Sequence, residues 1–172
     1  MAAPCFPSKV KLFVGFIFED EDILQAAIEI LHKSFGTIDT VSDKIPFVNT
    51  EYYSEIGNNL CKKFISFEAL INREEISSIK ILTNDIELTE SGIRKINIDP
   101  GYMTLSNVFL ASCKDFYHRV YVGKGVFIEN EYRYTDGKFK FWEWTYPDYK
   151  QEEYTNYFMH IRNIYKMGLL KN

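Results

Sequence analysis

The sequence predicts a single α+β domain: a mixed or antiparallel sheet with a ferredoxin-like βαββαβ beginning, helices mainly on one face, and a C-terminal β-hairpin and helix. Three observations carry this expectation. The run VKLFVGFIF (10–18) is almost continuously apolar, the pattern of a central strand buried on both faces. Between residues 10 and 98 the patterns follow the order strand, helix, strand, strand, helix, strand. A sheet with both helices on one side accommodates that order without knots or left-handed crossovers. After residue 125, two alternating runs flank Asp136-Gly137, a strong short-range hairpin signal. The 172 residues suit one domain, expected over 9–172, with 1–8 as a flexible N-terminal segment.

In chain order, four acids (Glu19 to Asp22) follow the first strand, and Ile23, Ala27, Ile30, Leu31 and Phe35 then recur at helical spacing up to Gly36. The acids suit the positive end of the helix dipole; the alternative is a cation site. TIDTVSDKIPF (37–47) reads as a weaker strand that ends, or meets a sheet edge, at Pro46. Residues 48–59 read as a loop with one helical turn, and LCKKFISF (60–67) as a second good strand. Asn72 and Glu75 stand in capping-box relation ahead of a helix that aligns Ile76, Ile79, Leu82 and Ile86. IRKINI (93–98) is the next strand. Asp99-Pro100-Gly101-Tyr102 has the residues of a type II turn, and Thr104 is placed to N-cap a helix burying Leu105, Val108 and Phe109 and closing at Lys114. A strand over 117–122 would put Tyr117, Arg119 and Tyr121 on one face and His118 with two valines on the other. Lys124 lies between glycines that permit a bend or bulge.

With Asp136 and Gly137 as the two turn residues, Tyr134 faces Phe139 and Tyr132 faces Phe141. That register sets Arg133 opposite Lys140, an unfavourable pairing unless Glu131 or an anion compensates. Tyr154, Tyr157, Phe158, Ile161, Ile164 and Tyr165 form one stripe of a closing amphipathic helix.

Composition narrows the function classes. A net charge of −4 argues against sequence-independent nucleic-acid binding, which needs a basic surface. Residues 1–98 carry ten basic against fifteen acidic side chains and 99–172 ten against nine, so the second half is better placed to meet an anion. Three cysteines without a close pair fit a reducing cytoplasm. No apolar run is long enough to span a bilayer, and MAAPCFPSKVK lacks the charged start and apolar segment of a signal peptide.

The residues able to carry chemistry cluster between 99 and 148. An aspartate at a strand end, followed by a turn and free backbone N–H groups, is ground for a ligand, so Asp99 is a candidate to orient a hydroxyl, a water or a metal. His118 is the acid–base candidate, because imidazole ordinarily titrates near neutrality. Lys114 and Arg119 are placed to bind an anion, Arg119 through its planar fork. Lys124 is a weaker candidate. Tyr102, Trp144 and Tyr146 could stack on a ligand, and Asp148 lies in the aromatic segment WTYPDY that would form a lid. Each also has an ordinary structural reading, as turn, helix end or core residue. Familiar constellations are missing: no HExxH, no cysteine–histidine metal spacing, no GxSxG, no GxGxxG and no GxxxxGK[ST]. A divalent metal such as magnesium, held by carboxylates, stays open as a cofactor.

The stretches KLFVGFIF, KFISFEALI, IKILTNDIE, NIDPGYMTLSNVFLASCKDFYHRVYVGKGVF and WTYPDYKQEEY together resemble an uncharacterised bacterial family, domain of unknown function 4416. The resemblance covers roughly residues 9–165 and is most specific at DPGY, KDFYHRVY and YPDY. It implies a small, free-standing cytoplasmic protein and brings no catalytic residues with it. The reading the residues favour is a binding site, with or without phosphate-ester chemistry, for a small phosphorylated or nucleotide-like ligand. Two others remain open: an interaction module docking through Trp142 and Trp144, and a single-stranded RNA binder using sheet aromatics.

Overall fold

Val10–Phe18 forms β1 and is buried along its whole length, as an unbroken apolar run requires. The computed structural model describes residues 1–48, 51–88 and 92–170. The elements after β1 are α1 (Glu21–Phe35), β2 (Ile38–Val41), β3 (Ile45–Pro46), β4 (Cys61–Ile71), α2 (Ile76–Glu87), β5 (Ile96–Met103), β6 (Asn107–Ser112), β7 (Val120–Gly123), β8 (Val126–Thr135), β9 (Lys138–Phe141) and α3 (Glu152–Leu169). Among the described residues the strands make one antiparallel open sheet in the order β2-β4-β1-β5-β6-β8-β7, with β3 paired to β4 and β9 to β8. No helix among them is long and apolar enough to cross a membrane.

The two faces of β1 are covered by different layers. Leu12, Val14, Phe16 and Phe18 pack with Leu24, Ala27 and Leu31 of α1 and Ile76 and Ile79 of α2. On the other face Phe13 packs with Phe64 and with Tyr154, Tyr157, Phe158 and Ile161 of α3. The expectation of helices mainly on one face therefore holds for α1 and α2, and α3 closes the opposite face. Its aromatic stripe is core: Phe13 meets Phe158 edge-on at 4.9 Å, and Phe64 meets Tyr154 at 4.9 Å. Burying each such ring contributes about 1.5–3 kcal/mol.

Local capping follows the sequence where a short-range signal decides it. Asp20 caps α1, its carboxylate accepting from the N–H groups of Asp22 (2.8 Å) and Ile23 (3.3 Å), so the acid run is a helix start. Glu75 accepts from the Asn72 N–H at 2.5 Å ahead of α2. The weak strand over 37–47 divides into β2 and β3, both laid on β4. In the expected loop over 48–59, Glu51–Tyr53 makes a single 3-10 turn, and residues 49–50 lie outside the described residues. The β8–β9 hairpin has the expected register, Tyr132 with Phe141, Arg133 with Lys140 and Tyr134 with Phe139. Its turn residues Asp136 and Gly137 both have positive φ, 52° and 79°, as a two-residue hairpin turn demands.

Residues 99–122 depart from expectation. Asp99-Pro100-Gly101-Tyr102 is the interior of β5, and Val108 and Phe109 lie in β6, where a helix was expected. Thr104 does accept the N–H groups of Ser106 (3.1 Å) and Asn107 (2.9 Å), but in a hairpin turn; a threonine hydroxyl makes the same bonds there as at a helix cap. Gly101 is required by packing, because a Cβ there would lie 2.3 Å from a ring carbon of Phe13. The strand expected over 117–122 begins only at Val120, leaving His118 and Arg119 in the preceding loop. Lys124 and Gly125 form the two-residue turn between β7 and β8.

Candidate functional site

β5 and β6 pair only from Gly101 to Met103 and then part, and a cavity of about 500 Å³ opens at the seam. Along the unpaired edge of β5, side chains of α2 replace the missing strand. The Ile98 N–H donates to Glu87 at 2.7 Å, and Lys80 donates to the Ile98 carbonyl at 2.9 Å. Backbone groups two residues apart in a strand point the same way, so the N–H that Pro100 lacks would also have faced this seam. A proline is tolerated in this central strand for that reason.

Asp99 stands beside Gly15 of β1 and reaches the cavity with Asn97. Lys80 donates to it at 3.3 Å, the Asn97 amide donates at 2.5 Å, and the Lys62 ammonium lies 4.0 Å away. Burial pushes the Asp99 carboxyl up, but Lys80 and Lys62 outweigh it and hold the group below the ordinary carboxylate range. Neighbouring acids go the other way. Burial raises Glu87 to about 7 despite Lys80, and raises Asp148 despite Lys62. Burial, with Glu129 nearby, raises Glu131 to about 9.

A bulge brings Glu129 to the cavity. β6 pairs Val108 with Tyr132 and Phe109 with Asn130, so Glu131 is an extra residue and the alternation of β8 reverses beyond it. Tyr132 packs in the core and Glu129, opposite Leu110, lines the cavity. Glu131 turns inward and accepts from the Tyr146 N–H at 3.3 Å, so it does not compensate Arg133. Arg133 instead stacks over Trp142 at 4.9 Å.

The sequence candidates fall into two groups. Asp99, Lys114, Tyr146 and Asp148 line the cavity. Arg119 lies behind it, donating to Glu129 (2.9 Å), the Tyr146 hydroxyl (2.7 Å), the Ser112 hydroxyl (3.0 Å) and the Lys114 carbonyl (2.9 Å). His118 also lies behind Glu129, at 2.6 Å, and stacks on Trp144, which stacks on Trp142. Neither His118 nor Arg119 is a lining residue. Tyr102 is in the opposite-face core against Phe109, and Lys124 is far along the sheet, bonded to Ser78 at 2.8 Å.

Sequence reasoning missed Lys62, Lys80, Glu87, Arg94, Asn97 and Tyr149, all lining residues. The one signal available was a lysine pair inside an otherwise apolar strand, LCKKFISF. At the mouth, Lys114 donates to the Tyr52 hydroxyl, Tyr52 meets Tyr53 edge-on, and Arg94 stacks over Tyr53. Among the described residues no group of three or more histidines, cysteines and acids is placed to hold a metal ion. Residues 8–165 match a family model described as "Domain of unknown function (DUF4416)". No curated protein and no solved structure matches the chain.

Proposed function

The chain belongs to the DUF4416 family, a membership that assigns no chemistry, and we propose from the cavity that the protein binds a small phosphorylated or nucleotide-like ligand. The observation that carries this reading is the convergence of Lys62, Lys80, Arg94 and Lys114 on an aromatic-walled cavity, where burial disfavours the charged forms of two facing acids, Glu87 and Asp148. Arg119 pairs with Glu129, and Arg94 pairs with Glu55 and approaches Glu87 at 3.6 Å. Lys62, Lys80 and Lys114 line the cavity with Asp99, which Lys80 and Lys62 hold ionised; Lys80 also lies 3.9 Å from Glu87, and burial raises Asp148. A volume of about 500 Å³ suits a small molecule, and a few convergent polar groups among apolar walls are what such sites contain.

The reading extends to phosphate-ester chemistry. Asp99, kept ionised, would orient a hydroxyl, and Glu87, at about 7, is suited to exchange a proton near neutral pH. The order β2-β4-β1-β5, with α1 and α2 on one face, supports a ferredoxin-like reading of the first half.

A thermal-shift screen of nucleotides, sugar phosphates and their unphosphorylated counterparts tests the proposal. A ligand at 100 times its Kd stabilises the folded chain by about 2.7 kcal/mol, a readable shift. Absence of any shift across the phosphorylated set would end this reading. For a compound that binds, released phosphate measures turnover.

A further inference from the structure

We infer that the inner end of the cavity is a subsite for the phosphate monoester of a phosphorylated sugar, free or within a nucleotide, anchored by Lys62. This rests on the ligand reading above and adds which end of the ligand enters first, and onto which side chain. Lys62 is 2% exposed yet lines the cavity, and its ammonium makes no hydrogen bond to any described residue. The nearest carboxylate oxygen, on Asp99, is 4.0 Å away. The rings of Phe47, Phe64 and Tyr149 surround it at 5.9, 5.5 and 5.3 Å. Rings attract a cation but leave its N–H donors without acceptors, and buried donors without acceptors are costly. Tyr149, at the same end, is 1% exposed and its buried hydroxyl also has no partner among the described residues.

The strand beneath leaves room for this lysine. A Cβ on Gly15 would lie 3.3 Å from Lys62 Cε and 2.9 Å from the Phe64 ring. The charge pattern favours a monoester over a carboxylate. Lys62 and Lys80 flank Asp99, Lys80 also meets Glu87 at 3.9 Å, and Lys114 adds a third cation toward the mouth; three lysines converging on one hollow match a dianion better than a monoanion. Asp99 and Asn97, beside that end, supply the acceptors and donors that read a sugar hydroxyl.

The test measures binding of inorganic phosphate, ribose phosphate, a nucleoside monophosphate and the same nucleoside without phosphate to the full chain and to Lys62→Met. The phosphorylated sugar should bind, as the free compound, the nucleotide or both, and the two arms identify the source. The bare nucleoside should bind at least about tenfold more weakly than its monophosphate. Lys62→Met should lose the phosphate-dependent affinity by a similar factor without a lower melting temperature in the absence of ligand. A melting temperature that falls while the ligand shift persists would make Lys62 structural and overturn the inference, leaving the ligand reading intact. Failure of every phosphorylated compound on the parent chain would overturn both. Amine acylation read by mass spectrometry needs no variant: ribose phosphate should shield Lys62 and ribose should not, and equal labelling counts against the anchor.

Discussion

Two lysines on the same face of the sheet, Lys11 and Lys62, are equally buried at 2% exposed and differ in how their donors are met. Lys11 bonds Asp39 and the Phe67 carbonyl. Asp39 in turn accepts from Ser66 (2.6 Å), Ser66 bonds Thr40 (2.7 Å), and Thr40 bonds the Tyr157 hydroxyl (2.9 Å), which ties α3 to the sheet. That cluster is closed. Lys62 faces a hollow and has rings around it instead of acceptors. A buried charge that is fully bonded holds a fold together; one left without acceptors at a cavity wall points to something outside the chain.

Breaking the closed cluster should have the largest effect. Asp39→Ala strands the Lys11 ammonium in the interior and should cost about 3–5 kcal/mol in urea unfolding, with any ligand-induced shift preserved in the fraction that folds. A cost below roughly 1 kcal/mol would erase the contrast between the two lysines. Arg119→Lys, at the back of the cavity, loses the fork that holds Glu129, Tyr146 and Ser112 together. It should cost about 1.5–3 kcal/mol, the range for hydrogen bonds to charged groups, with ligand affinity changing less than in Lys62→Met. Calorimetry with and without ligand separates those two variants.

Glu131 sharpens the comparison through pH. Its folded pKa of about 9 lies above its ordinary 4.5, so the folded chain holds a proton that the unfolded chain releases between those values. Its contribution is fully present below pH 4.5 and is lost as pH rises through 9, by up to about 1.4 kcal/mol per pH unit. Glu131→Gln should flatten that part of the stability curve, measured by urea midpoints across the window. Parallel curves would place the Glu131 proton elsewhere. Asp99 acts with the opposite sign, its stabilisation fading as pH falls below the carboxylate range. The smallest change lies outside both clusters. Lys140→Glu, opposite Arg133, should stabilise the hairpin by about 0.2–1 kcal/mol and leave ligand binding untouched.

The smaller part of the cavity's chemistry was visible before the fold. Asp99, Lys114, Tyr146 and Asp148 come from the stretch between 99 and 148 that the sequence singled out, and all four line the cavity. Lys80 and Glu87 were not visible, because on α2 they look like ordinary solvated positions. They matter only because β5 lacks a partner at Ile98 and α2 lies along that gap. In Lys62-Lys63 the sequence offers two adjacent lysines, and only pairing with Ile17 of β1 decides which one turns inward.

The elements legible before folding were set by contacts a few residues long. An apolar run made β1, an aspartate made the α1 cap, and Asp136-Gly137 made a turn whose geometry dictated the hairpin register. The rest depended on groups far apart in the chain. DPGY became strand because Phe13 and the β1 ladder claimed it over the turn its residues favour. The bulge at Glu131 turned Glu129 toward the cavity by reversing the parity of β8, a choice made by the register of β6. Hydrogen-bond ladders and side-chain parity are cooperative over a whole sheet, so one distant partner overrides a strong local preference, and the cavity forms where two such ladders part.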